Sequence, residues 1–243
     1  MATATRPKAS HKSSSKLREP RARGDGPGQV PWRGPERDCP RCSRLVAFRK
    51  ANRERFPDWH NAPVDSFGDT DARLLIVGLA PGLKGANRTG RPFTGDVAGD
   101  LLYETLAKFG LARGRYAGRP DDGFKLAGCR VTNAVRCVPP ENKPTAQEIS
   151  TCQAFLGLEI AALPALEAIL ALGIIAHQSV LDALGLKRAR YPFRHGAFHR
   201  LADGLLLADS YHCSRYNTQT GRLTEAMFHA VFADIRHYLD NPP

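Results

Sequence analysis

The sequence predicts an α/β fold: a parallel sheet with helices on both faces. Short apolar runs of strand length alternate with longer stretches of helical period, and several runs stop at a glycine. With 243 residues, 42% hydrophobic and 24% charged, the chain can bury a core, which excludes a wholly disordered or fibrous protein. The longest apolar candidate, residues 160–176, is interrupted by Pro164 and Glu167. It reads as a helix followed by a buried strand, not a membrane span.

Residues 1–35 are rich in Ser, Lys, Arg, Gly and Pro and have no hydrophobic period, so a disordered basic arm is expected there, with the folded domain at 36–243. No apolar segment follows the first basic residues, so no secretory signal is read. Net charge is +11, and residues 1–60 hold 15 Lys and Arg against 6 Asp and Glu. Such a local excess suits a polyanion partner, and also a merely solubilising tail.

After Cys42 a short helix is expected. Residues 74–77 form an apolar run closed by Gly78, a buried strand. A Gly-rich loop leads to Asp96, which heads an amphipathic helix carrying Leu101, Leu102, Leu106 and Phe109 and stopped by Gly110. Residues 129–135 read as a second strand. Thr145-Ala-Gln-Glu148 is a capping-box pattern starting a helix to about residue 163. Residues 168–173 and 205–208 are the third and fourth strands, with a helix at 179–184 between them. Leu223, Met227, Val231, Ile235 and Tyr238 recur at helical spacing and close the chain. In parallel sheets, ligands bind where loops leave the carboxyl ends of strands. Three loops at such ends stand out: 78–96, 133–144 and 210–224.

Six cysteines are present. Cys39 and Cys42 form a C-x2-C pair, whose tight turn points both sulfurs at one centre. Cys137 and Cys152 bracket a Pro-rich loop and a helix start. Four thiolates suit zinc or an iron–sulfur cluster, and the count does not choose between them. Either centre would close a loop of about 95 residues. Cys129 lies within a strand and is read as core.

The segments Cys39-Pro-Arg-Cys42-Ser-Arg-Leu-Val, Gly78-Leu-Ala-Pro-Gly82 and Gly85-Ala-Asn-Arg-Thr-Gly-Arg-Pro-Phe-Thr-Gly-Asp96 resemble type-b (family 5) uracil-DNA glycosylases. So do Thr132-Asn-Ala-Val-Arg-Cys137, the loop to Pro144, and His212-Cys-Ser-Arg-Tyr-Asn-Thr-Gln-Thr-Gly221. The resemblance implies a three-layer α/β/α sandwich with a central four-stranded parallel sheet. It also implies a [4Fe-4S] cluster on Cys39, Cys42, Cys137 and Cys152. The implied reaction is hydrolysis of the N-glycosidic bond of uracil and other damaged bases in DNA, the first step of base excision repair. One departure is visible: Cys213 follows the motif His where the family usually has Pro, which is expected to loosen that loop and expose a thiol to oxidation.

A base cannot be cleaved within the stack, so it must be flipped into a pocket. Phe93, an aromatic in a Gly/Pro-rich loop, is the expected stacking surface. Asn133 has the donor and acceptor to read the edge of uracil. His212 would stabilise charge on the departing base. The 78–82 loop has Leu79 and Ala80 where related glycosylases place an acid or amide, so Asp96 is the expected carboxylate for water or for the charge on the sugar. It is equally a standard helix N-cap. Backbone amides of Ala80, Pro81 and Gly82's segment would approach the base or a phosphate. Arg88, Arg91, Arg215 and Arg222 are expected on phosphates, with Arg215 and Tyr216 as a wedge.

Only Lys84 and Lys143 lie in the motif loops, so a monofunctional hydrolase is expected rather than a Schiff-base lyase. The expected partner is DNA, single- or double-stranded, with no membrane and no second copy, in a cytoplasmic, nucleoid-associated setting. A competing reading is a non-catalytic nucleic-acid-binding protein with a four-cysteine zinc or iron–sulfur module. Asn133 and His212 at strand ends speak against it, because phosphate binding alone needs neither. Nucleotide hydrolysis is disfavoured, since no P-loop or paired acidic metal motif occurs.

Overall fold

The computed structural model describes residues 33–201 and 203–241. The expected basic arm therefore lies outside the described residues up to residue 32. In chain order the elements are α1 (Ser43–Arg55), β1 (Phe67–Gly68), β2 (Leu74–Gly78), α2 (Ala86–Thr89), α3 (Val97–Lys108), β3 (Ala112–Arg113), β4 (Lys125–Leu126) and β5 (Cys129–Asn133). There follow α4 (Ala146–Ala161), β6 (Ala168–Leu172), α5 (Ile174–Ala183), β7 (Phe198–Arg200), β8 (Leu206–Ser210), α6 (Arg215–Gln219) and α7 (Glu225–Asp240).

The main sheet has the order β1-β5-β2-β6-β8-β7. Its four central strands are parallel, as expected, while β1 and β7 add short antiparallel edges that the sequence did not reveal. Every residue of the four central strands is buried. Side chains alternate between faces. Leu74, Ile76, Val131 and Leu170 face the core shared with α3 and α7. Leu75, Val77, Ile169 and Leu207 face that of α4 and α5. This is the three-layer sandwich.

Register matters for the site. Gly78 pairs with Asn133, and Leu172 with Ser210, so the carboxyl ends of the four strands form one line. Several expected boundaries move. β5 stops at Asn133, not at 135, and β8 runs to Ser210, not to 208. In β8, Asp209 is fully buried because His177 and His199 hydrogen-bond its carboxylate at 2.6 and 3.2 Å. α5 begins at Ile174, five residues before its expected start, because Gly173, at φ +96, turns the strand directly into the helix.

The capping box at α4 is present: Thr145 accepts from the Glu148 amide at 3.2 Å, and Glu148 accepts from the Thr145 amide at 2.8 Å. The same carboxylate receives Arg44 Nε of α1 at 2.8 Å, tying the two helices together. Farther along α4, Glu159, 1% exposed, accepts from Arg130 Nε of β5 at 2.7 Å and from Arg136 in the loop beyond it. Among the described residues, no helix is long and apolar enough to cross a membrane.

Candidate active site

The three loops singled out at the strand ends surround one cavity of about 540 Å³. Asn133, Phe93, Asp96 and His212 all line it, as do Ala80, Pro81 and Gly82. Asn133 ends β5 and is 3% exposed, and its Oδ1 is buried with no hydrogen-bond partner. His212 Nδ1 is buried and unpartnered as well. Unsatisfied buried polar atoms are costly and rare in native proteins. Two in one cavity mark a place shaped for a polar ligand.

Phe93 lies 5.8 Å from His212, centroid to centroid, with 24° between the planes. Its backbone is left-handed, at φ +51, a conformation that disfavours a bulky residue and is held here by its surroundings. The Tyr116 hydroxyl donates to the Phe93 carbonyl at 3.2 Å, and Tyr103 donates to the Pro92 carbonyl at 2.5 Å. Gly99 packs against the Phe93 carbonyl so closely that a Cβ there would overlap it. The ring also rests over Gly78, where a Cβ would come within 2.5 Å of both Phe93 Cζ and Asn133 Oδ1. Gly78 is thus the floor that lets ring and carboxamide approach.

Asp96 does two things at once. Its Oδ1 accepts from the Gly99 amide at 3.1 Å as the N-cap of α3. Its Oδ2 lies under the 82–85 turn, where a Cβ at Gly85 would stand 2.5 Å away. Burial raises the carboxyl above its usual range, against the lowering pull of the Gly99 amide. Burial pushes the His212 imidazole the other way, down to about 4, so it is neutral at pH 7.

The loop expected to be loosened by Cys213 is held. The Cys213 side chain is fully buried and its thiol donates to the Ala98 carbonyl of α3 at 3.4 Å. Asn217 Nδ2 donates to the His212 carbonyl at 2.8 Å. Burial also keeps this thiol protonated and away from solvent oxidants.

Arg215 lines the cavity and is exposed; Arg88 and Arg222 are also exposed, and Tyr216 on α6 is 71% exposed. Arg222 also lies over the Tyr211 ring, 4.7 Å from its centroid. Arg91 differs from its expected place. It is 5% exposed, forms a fork of two 2.8 Å bonds with Asp122, and gives Nε to Thr94 at 2.8 Å. With its donors engaged inside, it braces the Phe93 loop and is not available to a phosphate. Asn142 also lines the cavity, and its Oδ1 accepts from the Leu83 amide at 3.3 Å. The sequence pattern marked Gly78 only as a strand end and the head of a motif and did not single out Asn142, because both act through contacts between distant loops.

Cys39, Cys42, Cys137 and Cys152 line a second, small hollow together with Leu45, Val135 and Phe155. No three of their sulfurs lie within 4.8 Å of one another; among the described residues, His177, His199 and Asp209 are the group that meets that spacing. Those three are already engaged with one another or, for His177 Nε2, with the Tyr191 carbonyl at 2.8 Å. Cys129 is core, as expected, with its thiol on the Leu111 carbonyl at 3.1 Å.

Comparison with known proteins is consistent with this geometry. The family model of the uracil DNA glycosylase superfamily matches residues 66–236. A type-5 uracil-DNA glycosylase of Thermus thermophilus is 46% identical over 204 residues, covering 82% of this chain and 92% of that protein. One from Mycobacterium leprae is 42% identical over 206 residues, covering 82% and 90%. A type-4 uracil-DNA glycosylase of Pyrobaculum aerophilum is 35% identical over 119 residues, about half of each chain.

Proposed function

The chain belongs to the uracil DNA glycosylase superfamily, and from that premise we propose that it excises uracil from DNA by hydrolysing the N-glycosidic bond. The observation that carries the mechanism is the pair of unpartnered atoms, Asn133 Oδ1 and His212 Nδ1, in one cavity beside Phe93. The flipped base stacks on Phe93. Asn133 Oδ1 accepts the ring N–H of uracil while the amide nitrogen donates to the neighbouring carbonyl. The bond between sugar C1′ and base nitrogen breaks, and the base leaves with the electron pair. Neutral His212, carrying hydrogen on Nδ1, donates to the base carbonyl on which that charge collects. Asp96 orients a water that forms the new C1′–O bond and takes its proton, which returns to the departing base or to solvent. The products are free uracil and an abasic sugar.

Exposed Arg88, Arg215 and Arg222 hold the flanking phosphates, and Tyr216 with Arg215 occupies the gap left by the flipped base. Small side chains at Ala80 and Gly82 leave room for other deaminated bases. The basic arm adds affinity without sequence preference.

We also propose that the four cysteines hold a [4Fe-4S] cluster. Leu45, Val135 and Phe155 line their shared hollow together with Arg49 and Arg136, and burial raises the Cys42, Cys137 and Cys152 thiols, Cys137 to about 12, so without a bound metal they stay protonated and inert. A four-thiolate donor set fits such a cluster. Such a cluster would supply a rigid cross-link between residues near 40 and the loop following Asn133, together with the capacity for one-electron exchange.

The test is excision of uracil from a synthetic oligonucleotide, read as an alkali-sensitive break. Wild type should cut and Asn133→Ala should be slowed at least ten-fold with its fold intact. An intact protein that binds DNA but leaves uracil in place would return the chain to the non-catalytic reading.

A further inference from the structure

We propose that Arg49 is the built-in charge partner of the cluster, a positioning residue that holds its sulfur ligands and offsets their negative charge; this rests on the cluster reading above. The buried stripe of α1 is Leu45, Arg49 and Asn52, so a guanidinium stands where a helix of this kind would ordinarily bury an apolar side chain. Arg49 is 4% exposed and lines the hollow of the four cysteines. Its Nη1 donates to Cys137 Sγ at 3.6 Å and its Nη2 to the Cys39 carbonyl at 2.9 Å. One side chain thereby bridges the two segments that supply the ligands, which are far apart in sequence.

A buried guanidinium without a counter-charge is strongly disfavoured. No carboxylate is hydrogen-bonded to Arg49: Asp38 feels its charge but is itself paired with Arg53, the hydrogen bonds of Arg49 go to a sulfur and a carbonyl, and its Nε is buried with no hydrogen-bond partner. Four thiolates around an iron–sulfur core carry net negative charge, and hydrogen bonds to the sulfurs tune such a centre. The unused N–H and the lack of a directly bonded carboxylate are both accounted for if the hollow holds that anion. The arrangement also explains the weak amphipathic pattern of α1: its inward face is built toward a charged group.

The test compares wild type with Arg49→Met, which keeps an unbranched stem and loses the charge, and Arg49→Lys, which keeps charge and loses the fork. Iron and acid-labile sulfide are counted per chain, and decay of the visible absorbance is followed under a chelator in air. Thermal unfolding is monitored by circular dichroism. Arg49→Met should lose the absorbance at least ten-fold faster than wild type, and Arg49→Lys should recover part of that difference. The iron–cysteine stretching bands in Raman spectra should shift in the Met variant. Wild-type iron content and decay in both variants would overturn the role of Arg49 while leaving the cluster. Should the Met variant not fold, Arg49→Gln, which stays polar and loses the charge, takes its place, and wild-type iron content and decay in it would overturn the role. A wild-type protein without iron would remove the cluster and this role together.

Discussion

Replacing Asp96 with Asn separates its observed role as a helix cap from the catalytic role proposed for it. The cap needs an acceptor oxygen at the position now 3.1 Å from the Gly99 amide, and Asn supplies one; Asn and Asp cap about equally well. Handling water needs the negative charge, which Asn lacks. Loss of general-base help costs about 10²–10⁴-fold in rate, or about 3–5 kcal/mol of transition-state stabilisation. Asp96→Ala loses the cap too, and with it about 1 kcal/mol of stability. Because burial raises the Asp96 carboxyl, the folded state favours its neutral form. That contribution is full at low pH and is lost as pH rises through the folded-state pKa. Asp96→Asn should therefore gain stability over wild type as pH rises through the carboxylate range, while losing rate. The measurements are single-turnover excision of uracil, DNA affinity by fluorescence anisotropy, and Tm from pH 4 to 8. Should Asp96→Asn excise at more than half the wild-type rate, or lose rate only in proportion to stability as the Ala variant does, the carboxylate is a cap and nothing more.

Three other perturbations bear on the site. His212, pushed by burial down to about 4, stays unprotonated in the fold between that pH and its ordinary 6.5, where the unfolded chain takes up a proton. Wild-type Tm should fall across that window more steeply than that of His212→Gln, and the two should run parallel above pH 7. Gly78→Ala places a Cβ 2.5 Å from both Phe93 and Asn133, so it should cost about 1–3 kcal/mol of stability and slow excision at least ten-fold. Arg91→Ala strands a buried Asp122 and should cost about 3–5 kcal/mol in chemical denaturation, whereas Arg215→Ala should leave stability alone and reduce the slope of log affinity against log salt by about 1.

The strands that carry the site were legible because each is covered on both faces, so their residues form unbroken apolar runs. The edge strands Phe67–Gly68 and Phe198–Arg200 are too short for any period to register. The end of β8 was hidden for another reason. Asp209 reads as a loop residue until His177 and His199, distant in sequence, are seen to satisfy it. The loops that carry Phe93, Asn133, Asp96 and His212 stand out because they follow strand ends, which the register brings into line beside one cavity, while the choice of residues within them leans on the family resemblance. Arg91 was misassigned because a buried arginine and an exposed one look alike in sequence; Asp122, which decides the matter, sits 31 residues away in a stretch with no motif. The role of Gly78 depends on what lies above it, and sequence alone does not say what that is.

Glu159 has a further consequence, an evolutionary one. Its single carboxylate serves an arginine inside the sheet and another next to Cys137. Substituting it would take a shared carboxylate from two buried arginines at once, so a change here is expected to couple to both positions. That epistasis would slow drift in the segment joining the sheet to the sulfur-lined hollow, while the neighbouring surface remains free to vary.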